Sequence, residues 1–195
     1  MPRLFSGLYD WVLALARHRY AERYLAGVSF IEAIIFPIPP DVMLAPMVLA
    51  ERKRAWRLAL MTTLASVAGG LVGYLLGWWA LELILPWIER AGYLAAYQQA
   101  VDAFARFGVW FVILAGFSPI PFKVITVAAG ALGMPLPAFL LGSVIGRGAR
   151  FYLVAAVIYA GGERAAERLR DWVDLLGWVV VGLTLMGLLL WWIWV

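Results

Sequence analysis

The chain has 195 residues, of which 65% are hydrophobic and 14% are charged, whereas soluble domains average about 45–50% and about 25%. A soluble domain of this length cannot bury so much apolar surface, because small domains leave a large part of their surface exposed. The composition therefore excludes a soluble enzyme and a disordered chain, and it predicts an integral membrane protein. The net charge of +4 indicates contact with anionic lipid headgroups, since no nucleic-acid-binding motif accompanies the basic residues.

The residues that carry most metal and nucleophile chemistry are nearly absent. The chain has no cysteine and a single histidine, His18, which excludes disulfides, a thiolate nucleophile and a histidine-rich metal site. The sequence also contains no Ser-His-Asp arrangement and no glycine-rich nucleotide loop. We therefore predict no catalytic residue, no metal and no cofactor, so the chain is not expected to be an enzyme.

Taken in chain order, the apolar stretches predict a single membrane domain, 1–195, that begins with a surface helix. Apolar residues recur at helical spacing in residues 1–24, which indicates an amphipathic helix lying on the membrane. A full span needs about 20 mostly apolar residues, and three stretches are long enough: 58–81, 136–160 and 172–195. Between the first two spans, the apolar stripe of residues 82–107 predicts an interfacial connector of one or two helices.

Two further apolar segments, 25–50 and 109–134, are interrupted by prolines. Proline lacks the backbone N–H and clashes with the preceding turn, so each segment splits into pieces of about 10–13 residues, about half the length needed to cross. Two half-helices joined at membrane depth form a re-entrant hairpin, and the alternative is a kinked but continuous span. The prolines at the breaks are Pro37, Pro39, Pro40, Pro119 and Pro121.

The two broken segments resemble each other. Pro37-Ile38-Pro39 matches Pro119-Ile120-Pro121, and each motif is followed by a full span rich in small residues. Residues 25–81 are therefore repeat one and residues 108–160 repeat two. Interrupted segments in corresponding positions of two halves are typical of a transporter binding site. Glycines four residues apart in the spans predict close helix packing: Gly69, Gly73 and Gly77, then Gly142 and Gly146.

The positions of the basic residues predict the orientation. If each hairpin returns to the side from which it enters, three basic clusters fall on one side and only Arg90 and Arg106 on the other. By the positive-inside rule the clusters are cytoplasmic, and so is the N-terminus. The clusters are Arg3, Arg17, Arg19 and Arg23, then Arg52, Lys53, Arg54 and Arg57, then Arg164, Arg168 and Arg170.

Two acidic residues lie in the first broken segment. Glu32 is in its first half, and Asp41 directly follows the prolines. A charged and unpaired side chain at bilayer depth costs about 2.5–3.5 kcal/mol, which makes each a candidate for a functional role such as proton coupling. The structural alternatives are an N-cap for Asp41 and a salt bridge for Glu32.

Three basic residues lie in the second repeat. Lys123 stands two residues after the second Pro-Ile-Pro, where Asp41 stands in repeat one, so we expect an acid and a base to meet at the hairpin tips. Arg147 and Arg150 share one helix face, and guanidinium groups bind phosphate in a bidentate manner. In the alternative, the arginines snorkel or neutralise Glu32 and Asp41. Two acids against three bases leave one positive charge for an anion.

The order and spacing of these motifs resemble the DedA family, also called the SNARE-associated Golgi protein or VTT domain group, and within it the YqaA-like branch. The resemblance covers roughly residues 25–165. The motifs that carry it are Phe30-Ile31-Glu32, Phe36-Pro37-Ile38-Pro39-Pro40-Asp41-Val42, Phe117-Ser118-Pro119-Ile120-Pro121-Phe122-Lys123, Ala129-Gly130 and Gly146-Arg147-Gly148-Ala149-Arg150-Phe151.

The resemblance implies a multi-pass protein of the bacterial inner membrane with two inverted re-entrant hairpins. It implies a flippase for a polyprenyl phosphate, such as undecaprenyl phosphate, or a related phospholipid, coupled to protons. Glu32 and Asp41 match the family's intramembrane acids, whereas Gly116 stands where the family carries an arginine. The expected partners are the lipid phosphate, membrane lipids and a second copy of the chain. The alternatives are an ion or small-solute antiporter and a membrane-organising protein without transport.

Single cysteines can test this orientation, because the chain has no cysteine of its own. We expect Arg54→Cys to react with a membrane-impermeant maleimide only from the cytoplasm and Gln98→Cys only from outside, because the span 58–81 separates them. Labelling of both positions from the same side would contradict the two-hairpin topology.

Overall fold

A computed structural model describes residues 18–35, 39–118 and 122–162, and all regular structure in these ranges is helical. The all-α prediction is confirmed for this part of the chain. The C-terminal span predicted at 172–195 and most of the helix predicted at 1–24 lie outside it. The helices are α1 (Ala21–Glu32), α2 (Asp41–Ala50), α3 (Ala55–Arg90), α4 (Leu94–Phe117), α5 (Phe122–Ala131) and α6 (Leu136–Gly162), with a 3₁₀ turn at Arg52–Arg54 before α3.

Three helical stretches in the described residues are long and apolar enough to cross a membrane: Arg52–Leu83, Tyr97–Phe117 and Leu136–Gly162. The first and third contain the predicted spans 58–81 and 136–160. Many of their large apolar side chains face outward rather than inward, among them Leu64, Trp79, Leu141 and Leu153. An outer surface of this kind suits lipid and not water, as expected of a membrane protein.

Helix α4 differs from the expectation for the second broken segment. The predicted boundary between the connector and the hairpin, near residue 108, falls inside this continuous helix of 24 residues. The physical reason is that no proline occurs between Leu94 and Phe117, and the glycine near the predicted boundary, Gly108, is tolerated in a helix at a cost of about 1 kcal/mol. The piece before the second break is therefore twice the expected length.

Helix α3 also continues beyond its predicted end at residue 81. It runs to Arg90 and contains Pro86. Glu82 ends the apolar stretch but does not end the helix, because a charged side chain interrupts hydropathy and not backbone hydrogen bonding. The predicted connector 82–107 thus consists of the end of α3, a turn with Gly92 at φ 77°, and the start of α4.

Both proline breaks lie between helices, and the elements after them correspond. The first break separates α1 from α2, which has 10 residues, and the long helix α3 follows. The second separates α4 from α5, which also has 10 residues, and the long helix α6 follows. That each broken segment forms a re-entrant hairpin stays a prediction.

The predicted glycine contacts are present and bring backbones together. A Cβ at Gly77 would collide with the carbonyl of Val127, and one at Gly130 with the carbonyl of Tyr74, so α3 and α5 touch along their backbones. On the other side of the molecule, a Cβ at Gly146 would lie 2.6 Å from the carbonyl oxygen of Ile113, which places α6 directly against α4. These contacts leave no room for side chains between the helices.

Buried apolar side chains form two clusters. The first joins α1, α2, α3 and α6 and includes Leu25, Met43, Leu58 and Phe151. The second lies around the second break and includes Phe122, together with Tyr74, Val112 and Phe139.

A pair of glycines on α6 tests the packing. We expect Gly146→Ala to lower the free energy of unfolding by about 1–3 kcal/mol, because the new methyl group meets backbone that cannot move aside. Gly148→Ala is the matched control, since its Cβ would lie 3.7 Å from the Thr63 side chain, an ordinary contact, and alanine favours the helix by about 0.5–1 kcal/mol. Thermal unfolding in detergent measures both. Equal transition temperatures for the two variants would contradict the packing.

Candidate functional site

The charged residues predicted from the sequence lie where both breaks face α6. Arg147 forms an ion pair with Glu32, at the end of α1. Arg150 forms an ion pair with Asp41, at the start of α2, with 2.5 Å between Nη2 and Oδ2. Lys123, in the first turn of α5, donates from Nζ to the carbonyl oxygen of Ile35 at 3.2 Å. We call the five ionisable side chains the charge cluster.

Arg147 is the most deeply buried basic residue of the described chain, with a side chain only 2% exposed. Its Nε donates to the hydroxyl of Ser66 on α3 at 2.6 Å, and its Nη2 donates to Glu32. The guanidinium carbon lies 5.0 Å from the ring centroid of Phe122 and 4.7 Å from that of Phe151. Since each ring belongs to a different apolar cluster, Arg147 sits at the junction of the two.

Arg150 has a more open environment. Its side chain is 20% exposed, and besides Asp41 it donates from Nη1 to the carbonyl oxygen of Ser118 at 3.2 Å. Asp41 is the reverse case, because its side chain is 2% exposed and its Oδ1 has no hydrogen-bond partner among the described residues. An unpartnered carboxylate oxygen in an apolar interior is unfavourable.

The three basic side chains tie together the helix ends at both breaks. Arg147 holds the end of α1, and Arg150 holds the start of α2 and the end of α4 through Ser118. Lys123 links the start of α5 to the backbone just after α1, at Ile35. The last carbonyl groups of a helix have no partner within it and carry partial negative charge, so cations at Ile35 and Ser118 are favourable.

The structure resolves two of the alternatives left by the sequence. The arginines do neutralise Glu32 and Asp41, so the pairs act as mutual counter-ions in this conformation. The N-cap interpretation of Asp41 is wrong, because α2 has Pro40 as N-cap with no side-chain cap bond, and Asp41 lies inside the first turn. The base that forms the ion pair with Asp41 is Arg150 on α6, whereas the sequence predicted Lys123, on α5, as its partner.

Three residues of the site were not predicted. Ser66 is one of many small residues in an uncharged span. Phe122 and Phe151 belong to the motifs that carry the resemblance, but no local pattern indicates that they contact Arg147.

Gly116, where the resemblance implies an arginine, lies close to α6. A Cβ at this position would lie 3.1 Å from the backbone nitrogen of Arg147 and 3.2 Å from Gly146. Any side chain here therefore requires α4 and α6 to move apart by a few tenths of an ångström. The two arginines of the charge cluster are both on α6.

The charge cluster holds guanidinium and ammonium donors, which can bind an anion. In residues 18–35, 39–118 and 122–162 no three acidic or histidine side chains are grouped as a metal site would need. Where the structure describes the chain, the fold and the cluster define a helical membrane protein in which two ion pairs join the first broken segment to the long helix α6.

The VTT domain family matches residues 21–160, and the chain belongs to this family, which confirms the resemblance to the DedA group. The chain is 43% identical over 185 residues to an uncharacterized protein of Haemophilus influenzae, covering 95% of this chain and 96% of that protein. It is 42% identical over 179 residues to an uncharacterized protein of Histophilus somni, covering 92% and 94%. No solved structure matches the chain.

Substitutions at two glutamates compare the stability contribution of a buried ion pair with that of an exposed one. We expect Glu32→Gln to lower the free energy of unfolding by about 3–5 kcal/mol, because it leaves the Arg147 charge buried without a counter-ion. Glu22→Gln is the control, since its pair with Arg57 is exposed and such pairs contribute about 0.2–1 kcal/mol. Thermal unfolding in detergent, followed by tryptophan fluorescence, compares them. Losses of similar size would show that the Glu32–Arg147 pair is not a buried counter-ion pair.

Proposed function

We propose that this chain is a proton-coupled membrane transporter that translocates a lipid phosphate. The proposed substrate class is a polyprenyl phosphate, such as undecaprenyl phosphate, or a related phospholipid. Family membership supports the transporter-like role. The observation that carries the substrate class is an arginine on α6 that a carboxylate holds at a break between helices, with a second ion pair of the same kind three residues away.

The chemistry proposed for the cluster is an exchange of one anion for another. A guanidinium fork accepts a carboxylate or a phosphate with the same planar geometry. When a carboxylate takes a proton, it no longer attracts the arginine, and the fork is free for a phosphate oxygen. When the phosphate leaves, the acid loses its proton and the ion pair forms again. Phosphate binding is therefore accompanied by proton uptake.

The charge balance fits an anionic headgroup. Glu32 and Asp41 balance Arg147 and Arg150, and Lys123 adds one positive charge. The cluster without substrate is thus positive by one, and each proton taken up by an acid adds another. A phosphate monoester carries one to two negative charges, so a monoanion neutralises the five side chains without a proton and a dianion neutralises them with one proton, and neutrality is the favourable condition in an apolar interior.

The surface of α6 suits a lipid rather than a water-soluble substrate. Leu141, Ile145 and Leu153 are exposed on this helix, and Arg150 is the part-exposed member of its ion pair. An isoprenoid tail can stay against apolar side chains while the headgroup reaches the arginine. The proposal places the chain in the bacterial inner membrane with a cytoplasmic N-terminus, either alone or with a second copy.

Translocation into proteoliposomes tests the proposal. We expect wild-type protein to move a fluorescent prenyl phosphate across the bilayer faster when a proton gradient is applied. Asp41→Asn removes the titrating group and is expected to abolish the response to the gradient. The matched control is Asp102→Asn, an exposed position on α4, which is expected to transport as wild type does.

The same vesicles distinguish the alternatives. Proton flux with a small anion and without lipid movement would indicate an antiporter. Correct insertion with neither lipid movement nor proton flux would indicate a membrane-organising protein. Either result would contradict lipid-phosphate translocation.

A further inference from the structure

The two ion pairs of the charge cluster differ in which partner is accessible. We infer from this difference that Arg150 is the residue that contacts the phosphate and that Asp41 takes up the accompanying proton, whereas Arg147 is a positioning residue that keeps its pair with Glu32. This inference rests on the proposed function and assigns roles within its site.

The more exposed partner is the base in one pair and the acid in the other. In the Arg150–Asp41 pair the arginine side chain is 20% exposed and the aspartate side chain 2%. In the Arg147–Glu32 pair the arginine side chain is 2% exposed and the glutamate side chain 19%. An anion that approaches from outside therefore meets the arginine first at the first pair and the glutamate first at the second. Repulsion between two anions directs the phosphate to Arg150.

The partners of each arginine support the same division. Arg147 has its Nε and Nη2 occupied by Ser66 and Glu32, and aromatic rings lie within about 5 Å of its guanidinium carbon, at 5.0 and 4.7 Å. Turning this group toward a ligand breaks all of these contacts. Arg150 has one ion pair and one backbone carbonyl, that of Ser118. It can release Asp41 and keep the carbonyl.

Asp41 is placed to take the proton. Once Arg150 turns to the phosphate, the Asp41 carboxylate is buried with one oxygen already unpartnered and its ion pair lost. The other charged groups around it are Arg147 and Glu32, which compensate each other, and Lys123 on α5. Helix α3 carries no charged residue from Leu58 to Leu81. A buried carboxylate that has lost its hydrogen-bonded arginine favours the protonated form, so one proton accompanies each anion: an O–H bond forms on Asp41, one O–H bond of a hydronium ion breaks, and no other covalent bond changes.

The experiment uses the full chain in detergent with geranylgeranyl phosphate as the probe. The dissociation constant, the protons taken up in weakly buffered solution and the thermal transition are measured together. We expect Arg150→Lys to weaken binding by at least about tenfold, because the planar fork is lost, with the thermal transition unchanged. Arg147→Lys is expected to lower the transition temperature and to change the affinity by less than about threefold. Arg106→Lys, at an exposed position on α4, is the control for both.

Two further variants test the roles of Arg147 and Asp41 separately. Ser66→Ala removes the acceptor of the Arg147 Nε–H bond, and it replaces Arg147→Lys if that variant does not fold. We expect it to lower the transition temperature without weakening binding beyond about threefold. Asp41→Asn removes the carboxylate that competes with the phosphate for Arg150. We therefore expect the probe to bind at least as tightly as in wild type, while proton uptake on binding disappears. Asp102→Asn should retain the uptake.

Each outcome separates the role assignment from the proposed function. If the wild-type protein does not bind the probe, the proposed function fails. If it binds, but Arg147→Lys or Ser66→Ala weakens binding as much as Arg150→Lys at an unchanged transition temperature, Arg147 contacts the phosphate and the inference is wrong. Proton uptake that persists in Asp41→Asn would overturn the assignment of the proton to Asp41.

Discussion

The burial of two arginines on α6 is the constraint on which the arrangement of the other helices depends. A guanidinium as deeply buried as that of Arg147 costs several kcal/mol unless a carboxylate lies beside it, so α1 and α2 must bring one acid to each arginine. Arg147 and Arg150 are about 4.5 Å apart along α6. On one continuous helix, Glu32 and Asp41 would lie about 13.5 Å apart along the axis and on opposite faces, since nine residues make about two and a half turns. The proline break removes this obstacle, because it lets the end of α1 and the start of α2 face the same turn of α6.

The sequence could predict those parts of the molecule that depend on local chemistry. Apolar stretches predicted the long helices α3 and α6, prolines predicted both breaks, and the cost of intramembrane charge pointed to Glu32, Asp41 and the three basic residues. The length of α4 could not be predicted, because a proline marks where a helix stops and no signal marks where the stretch before it began. The pairing could not be predicted either. Which acid pairs with which base depends on how helices that are distant in sequence pack together. The contacts of Ser66, Phe122 and Phe151 with Arg147 depend on the same packing.

The contrast between the two arginines shows how one residue type can serve two purposes within a single turn. Both side chains have the same charge and the same geometry of donors. Packing makes the difference, because rings from two apolar clusters enclose Arg147, whereas one side of Arg150 is open. A site that exchanges ligands needs a fixed part that keeps the helices together while the other part releases its bonds. Here the fixed pair lies at the end of α1, and the pair proposed to open lies at the start of α2.

The close contact of Gly116 with α6 has a consequence for how sequences of this family can change. A Cβ at position 116 would lie 3.1 to 3.2 Å from the α6 backbone at Gly146 and Arg147, so any side chain there requires the two helices to move apart by a few tenths of an ångström. The distance between the helices is also limited at Gly146, where a Cβ would lie 2.6 Å from the carbonyl oxygen of Ile113. A change of residue at either position therefore moves α6, and Arg147 with it. We expect both positions to stay small in relatives that keep this arginine.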